Sequence, residues 1–265
     1  MIPAVFSETA PPETEYAESP PPAPLRALVR CLWRSAPSGP RRIVPDGCLD
    51  LVAGAGQVFV AGPDTGAWSS STTPGAVLHG LRFRPGTAPG VLGVAADELR
   101  DTRVPLAELW GREGAVLAER VLEGRLSLAE LVRGRPSEPD PAIMAMIEHL
   151  ERGPSRVGAL PAPPNERDPS PLATIPLPPG RRGPSPLDAR QSPLGERQLR
   201  RRFTVAVGYG PATYLRISRF QRAIAAAPRT TGLAELAAVA GYADQAHLAR
   251  DCRAFSGSPP GSYFS

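Results

Sequence analysis

The chain contains no lysine; all 30 of its basic residues are arginine. With 34 prolines and 26 glycines, that bias is what GC-rich codon usage produces, and it bears on the coding sequence more than on chemistry. Only three cysteines occur, Cys31, Cys48 and Cys252, widely separated and odd in number. They exclude a disulfide framework and offer no C-x-x-C pair for metal or redox work. Three histidines without metal-ligand spacing leave no zinc-type motif. No uninterrupted apolar run of about 18 residues exists, so a membrane-spanning helix is not expected. The first 24 residues are acidic and proline-rich, without the basic start and apolar run of a secretory signal. A cytoplasmic, reduced protein is the expectation.

The formal charge of +4 conceals a division. From residue 181 onward there are 13 arginines against five acids, a net of +8, while the first 180 residues carry a net of −4. A basic segment joined to a mildly acidic remainder fits a polyanion-binding module attached to something else. Residues 153–186 hold 11 prolines in 34 positions, a composition that buries no core. The expected organisation is therefore a disordered 1–24, a β-rich domain with a helical extension over 25–150, a proline-rich linker over 151–186, and a helical domain over 187–265.

Short apolar runs bounded by Gly, Pro, Asp and Ser predict strands at Leu25 to Trp33, Cys48 to Ala53, Gln57 to Ala61 and Val77 to Arg84. In the last, Leu78, Gly80, Arg82 and Arg84 alternate with His79, Leu81 and Phe83, as a strand with one buried face requires. Helical character begins near Pro89. It is expected at Ala95 to Leu99, after Val104, around Val116 to Val121 and Leu128 to Val132, and from Pro141, where Ile143, Met144, Met146, Ile147 and Leu150 make an amphipathic face. The fold class is α+β: a small sandwich or barrel-like β domain with following helices, then an all-α domain.

Gly232 to Phe255 carries the sharpest local grammar. Gly232 with Glu235 reads as a weak capping box, and Leu233, Leu236, Ala237 and Ala240 form an apolar stripe. Gly241 ends that helix, and Asp244 is a good N-cap for the next. Leu248, Cys252 and Phe255 then lie on one side, with Gln245, His247, Arg250 and Arg253 on the other. Two short helices around a tight glycine turn have helix-turn-helix form. The exposed residue types suit DNA: arginine pairs with guanine edges, glutamine with adenine, and further arginines neutralise phosphates. Upstream, Leu199 and Phe203 face inward while Arg197, Arg200 and Arg201 face out, and Gly208 closes the helix. Between the units, Pro211 to Ala227 predicts a long helix with Arg216, Arg219 and Arg222 on its outer side.

These pieces resemble the AraC/XylS family of transcription regulators over roughly residues 187–265. The matching stretches are Arg197 to Phe203, Gly208-x-x-Pro211-x-x-Tyr214, Arg219-Phe220-x-x-Ala223, Leu233 to Ala237 and Gly241 to Arg250; Gly257 to Pro260 with Tyr263 echoes the family's second G-x-x-P-x-x-Y element. The resemblance implies two helix-turn-helix units entering successive major grooves of double-stranded DNA. By position it makes Arg197, Arg200 and Arg201 the base readers of the first unit and Gln245, His247 and Arg250 those of the second, with Arg253 on phosphate. One departure stands out. Leu187 to Gly195, with Pro193 inside it, occupies the space where the family has a regular helix, so the first unit reads as interrupted or degenerate.

Pro45 to Asp50, Gly80 to Gly86, Leu92 to Leu99 and Leu106 to Gly111 look like the N-terminal domain found before such DNA-binding units. An unassigned small-molecule effector or partner is its implied input, with Arg82, Arg84 and Trp33 as pocket candidates. The bland alternative makes Pro45 to Asp50 a tight turn, with Asp50 taking backbone donors. Cys48 and His79 are the one nucleophile–base pair to consider, but no third orienting group or nucleophile motif accompanies them, so catalysis is not expected. No cofactor or metal is implied. Two functions stay open: a ligand- or partner-sensing regulator that binds specific DNA, or a small-molecule or protein-binding module whose DNA-binding half is degenerate.

Overall fold

The computed structural model describes residues 16–36, 39–70, 76–135, 137–152 and 195–264. The expected helix-poor stretch Leu187 to Pro193, most of the proline-rich linker and residues 1–15 lie outside these.

Among the described residues eight strands build the N-terminal part: β1 (Tyr16–Ser19), β2 (Val29–Ser35), β3 (Arg41–Ile43), β4 (Asp50–Gly54), β5 (Gln57–Ala61), β6 (Trp68–Ser70), β7 (Leu78–Phe83) and β8 (Arg103–Pro105). Six form an antiparallel sheet in the order β1-β2-β7-β4-β5-β8, and β3 pairs with β6 as a separate ribbon. Alternation divides the large sheet into two faces. Leu51, Val58, Val60, Leu81 and Phe83 point to a core completed by helices, whereas Asp50, Val52, Phe59, Leu78 and Arg82 line a cavity. A bulge in β2 sets the second face. Val29 pairs with Phe83 but Cys31 pairs with Arg82, so one extra residue swings Cys31, Trp33 and Ser35 to the cavity side.

The helices behind the sheet are α1 (Ala88–Leu92), α2 (Leu106–Leu122) and α3 (Leu128–Arg133). Ser127 and Glu130 cap α3 reciprocally, a full capping box. Leu92, Leu106, Leu131 and Val132 enter the same core as the strands.

Three expectations need correction here. Residues 16–24 were expected to be disordered, but Tyr16–Ser19 pairs with β2 and Ala23–Leu25 forms a 3-10 turn that buries Leu25. Backbone pairing, which composition does not report, holds that segment. Ala95 to Leu99 is not a helix but a run of turns; Ala96 N–H, which a helix would use internally, instead donates to the Val205 carbonyl at 2.8 Å. The strands β1, β3, β6 and β8 are too short to show alternation. Finally, α4 (Pro141–Arg152), expected as an extension of the N-terminal domain, packs against the C-terminal helices instead.

The C-terminal helices are α5 (Glu196–Val207), α6 (Pro211–Ala226), α7 (Leu233–Ala240), α8 (Gln245–Ser256) and the short α9 (Pro260–Tyr263). Ile143, Met146, Ile147 and Leu150 of α4 share a core with Phe203, Tyr214, Ile217, Phe220 and Phe255. Leu236, Ala237, Ala240, Tyr242 and Leu248 form a second cluster on the other side of α6. Thus α6 is the spine, with one helix pair on each flank.

Candidate nucleic-acid interface and cavity

The second unit is α7, a turn and α8. Gly241 occupies the left-handed region at φ 86°, where its amide bonds back to Ala238, a conformation that suits glycine. Asp244 caps α8 by accepting from His247 N–H at 2.6 Å. Leu248, Cys252 and Phe255 are buried, as the periodicity predicts. Upstream, the cap differs by one residue: Glu235 reaches Thr231, accepting from its N–H at 2.9 Å, rather than reaching Gly232. Thr231 has both a hydroxyl and an amide to offer, so the longer reach is the more favourable.

Gln245, Arg250 and Arg253 lie on the exposed side of α8. His247 does not extend with them. It is half-buried, its ring edge-on to Tyr242 at 5.0 Å between centroids, and burial lowers its pKa. On α5, Arg197, Arg200 and Arg201 are exposed, and Arg200 pairs with Glu196 at 2.7 Å. Arg202 turns the other way, donating through Nε to Asp140 at 2.8 Å and so tying α5 to the start of α4.

Of the outward row expected on α6, Arg216 is exposed, whereas Arg219 and Arg222 are partly buried. Arg216 donates to the buried Asp251 at 2.9 and 2.8 Å and lies over the Phe255 ring at 5.0 Å. Arg219 and Arg222 are partly buried, which lowers both pKa values; Arg222 donates to the Ala240 carbonyl at 3.2 Å. Asp251 was missed in the sequence because its partner lies 35 positions away on another helix. An acid on an otherwise basic recognition helix was the available signal.

The two halves meet along α5 and α6. Gly208 closes α5 at φ 100°, and a Cβ there would fall 2.3 Å from Pro63 Cγ. Gly47, at φ 84°, lets the chain approach Tyr214, whose Cε2 would lie 3.0 Å from an added Cβ. Gln221 donates to the Pro45 carbonyl at 2.6 Å, and Arg42 to Ser258 Oγ at 3.1 Å.

Behind that contact lies a cavity of about 920 Å³ between the large sheet and the β3–β6 ribbon, with Gln221 in its wall. On its sheet face Arg82 donates to Asp50 from Nε at 3.0 Å and from Nη2 at 2.9 Å. Its Nη1 lies 3.1 Å from Asp46 and 3.7 Å from Glu18. Trp33 Nε1 donates to Asp50 at 3.1 Å. Burial works against the Arg82 charge, but Asp50 and Asp46 more than offset it and hold the guanidinium above its ordinary range. Burial pushes the Asp46 carboxyl up, against the pull of Arg82.

Of the pocket candidates, Trp33 and Arg82 line this cavity; Arg84 instead donates to the Arg26 carbonyl at 2.8 Å. The backbone donor at the Pro45 to Asp50 turn, Cys48 N–H, goes to Asp46 at 2.9 Å rather than to Asp50. Cys48 faces the cavity and His79 the opposite side of β7, so the two do not form a pair; burial raises the Cys48 thiol pKa well above its usual range. Among the described residues no group of three or more His, Cys, Asp or Glu is placed to hold a metal ion, and no helix is long and apolar enough to cross a membrane.

A β-rich domain seated on a helical domain with a glycine-turned, Asp-capped helix pair defines a helix-turn-helix protein with an appended domain. Residues 189–265 match the family described as a helix-turn-helix domain, and residues 17–105 match a domain of unknown function (DUF6597). The chain carries an AraC/XylS-type helix-turn-helix domain at its C-terminus and is a DNA-binding transcription regulator. No functionally curated protein matches it. Among solved structures, apo ToxT from Vibrio cholerae, as a point variant, aligns with 86% of this chain and 89% of its own length, at 11% identity and a TM-score of 0.34.

Proposed function

We propose that the chain is a sequence-specific regulator in which α8 reads the major groove and the N-terminal domain senses a small molecule. One observation carries the DNA half. Asp244 caps α8 so that Gln245 and Arg250 emerge from its solvent side while Leu248 and Cys252 anchor the other. Gln245 and Arg250 are assigned to base edges and Arg253 to phosphate. His247, packed on Tyr242, is assigned to setting the helix's entry angle, with its outer edge next to the groove. Arg197, Arg200 and Arg201 of α5 are assigned to the adjacent groove. The sensing half is supported by the cavity and by Gln221, which belongs both to the cavity wall and to the helix joining the two units.

Selection of bound sequences from random double-stranded DNA tests the reading. Two sequence patterns about one helical turn apart are expected if α5 and α8 both read bases. A single short pattern would confine base reading to α8, and recovery of no preferred sequence would refute sequence-specific binding.

A further inference from the structure

Three carboxylates meet one guanidinium: Asp46 and Asp50, which line the cavity, approach Arg82 at 3.1 and 2.9 Å, and Glu18 of the edge strand approaches it at 3.7 Å from outside the lining. Each nitrogen of Arg82 already faces a carboxylate. At the far end Arg103 gives Nη1 and Nη2 to Asp64, at 2.9 and 2.7 Å, while its guanidinium covers the Trp68 ring at 4.4 Å. The guanidinium donors on the sheet side are therefore committed, whereas a carboxylate has about four acceptor positions, and Asp46 uses two. Arg30, at 3.8 Å from Cys48 Sγ, adds one positive charge behind Asp46, and Arg41 and Arg42 stand across the cavity on the ribbon, with Arg42 turned to Ser258. What the sheet side offers a guest is acceptor oxygen and negative charge.

Beside that cluster stand aromatic walls. Trp33 and Tyr16 lie 6.2 Å apart at a 32° tilt, and Tyr16 donates to Glu18 at 2.7 Å. Gly80 makes the arrangement possible, since a Cβ there would sit 2.0 Å from the Trp33 ring. Aromatic faces next to partly desolvated carboxylates favour a cation, and a cavity of this volume admits a drug-sized molecule.

We propose that the cavity binds an organic cation with a flat apolar body, its ammonium or amidinium group set against Asp46 and Asp50, with the charge of Glu18 nearby, and its body against Trp33 and Tyr16. This rests on reading the N-terminal domain as a small-molecule sensor.

Calorimetric titration of the full chain with tryptamine, tryptophol and indole-3-acetate compares a cation, a neutral molecule and an anion on one indole body. Tryptamine is expected to bind about tenfold more tightly than tryptophol, and indole-3-acetate more weakly than both. Glu18→Gln and Asp46→Asn should each reduce the tryptamine preference while leaving tryptophol unchanged. Should Asp46→Asn unfold the chain, Glu18→Gln, on the exposed edge strand, still decides the matter. Ala61→Trp, which sets an indole beside its strand partner Asp50 and occludes the carboxylate end of the cavity, should abolish tryptamine binding. Equal binding of the three, or a preference for the acid, would overturn the cation assignment while leaving ligand sensing in place. Tryptamine binding that survives Ala61→Trp would overturn the location. No binding by any of the three would overturn the cavity as a small-molecule site and the sensing half of the proposed function with it, leaving DNA binding to be judged by sequence selection.

Discussion

Gln221 of α6 donates its side-chain amide to the carbonyl of Pro45 at 2.6 Å, tying the helix between α5 and α7 to the loop that walls the cavity. Gln221→Ala leaves that carbonyl without its partner. The substitution is expected to cost about 1 kcal/mol in urea unfolding and to raise amide hydrogen exchange around Cys48 and along α6. Unchanged exchange at both places would show that the two halves are not joined there in solution.

Arg250 and Arg253 emerge from one side of α8 but are assigned different roles. Arg250→Ala should weaken specific binding by about 1–3 kcal/mol and relax preference at one base position. Arg253→Ala should weaken specific and random DNA alike and reduce the salt slope by about 0.9. Competition binding at several salt concentrations separates them; equal losses on both kinds of DNA for both variants would refute the division.

Trp33 depends on Gly80 for its place. With only 2.0 Å between an added Cβ and the ring, Gly80→Ala must displace the indole and break its bond to Asp50. The expected cost is about 1–3 kcal/mol, accompanied by a changed tryptophan emission maximum. Unaltered emission would mean that the indole does not rest on this glycine.

His247 supplies a pH dependence. Burial lowers its folded-state pKa below the ordinary 6.5, with Asp251 pulling upward and Arg219 and Arg250 opposing protonation. As pH falls through 6.5 the unfolded chain takes up the proton first, so stability drops from there until the lowered folded value is passed. His79, lowered by burial and Arg34, acts in the same direction. His247→Gln should therefore reduce the fall in urea midpoint on mild acidification; an unaltered fall would show that this ring titrates normally.

Much of the DNA-binding half was legible because its signals are local. Gly241, Asp244 and the stripe of Leu248, Cys252 and Phe255 each act within one or two helical turns, and caps and periodicity report at that range. Gln57 to Ala61 was placed correctly for the same reason, since alternation runs through the whole strand. Legibility failed where a partner decides. Asp251 needs Arg216, Arg202 needs Asp140, and Arg219 and Arg222 are partly buried by neighbouring helices.

Local sequence suffices to end helices at Gly208 and Gly241, to bury one stripe of α8 and to set a basic segment after an acidic one, because backbone conformation, amphipathicity and charge are properties of short segments. Tertiary structure alone decided that α4 joins the C-terminal core, that a bulge turns Trp33 toward Asp50, and that Glu18, Asp46 and Asp50 converge on Arg82. Those outcomes rest on strand register and on contacts between residues far apart in the chain. A one-residue shift in register exchanges the faces of a strand, and in β2 that shift, between Val29 and Cys31, is set by its pairing with β7.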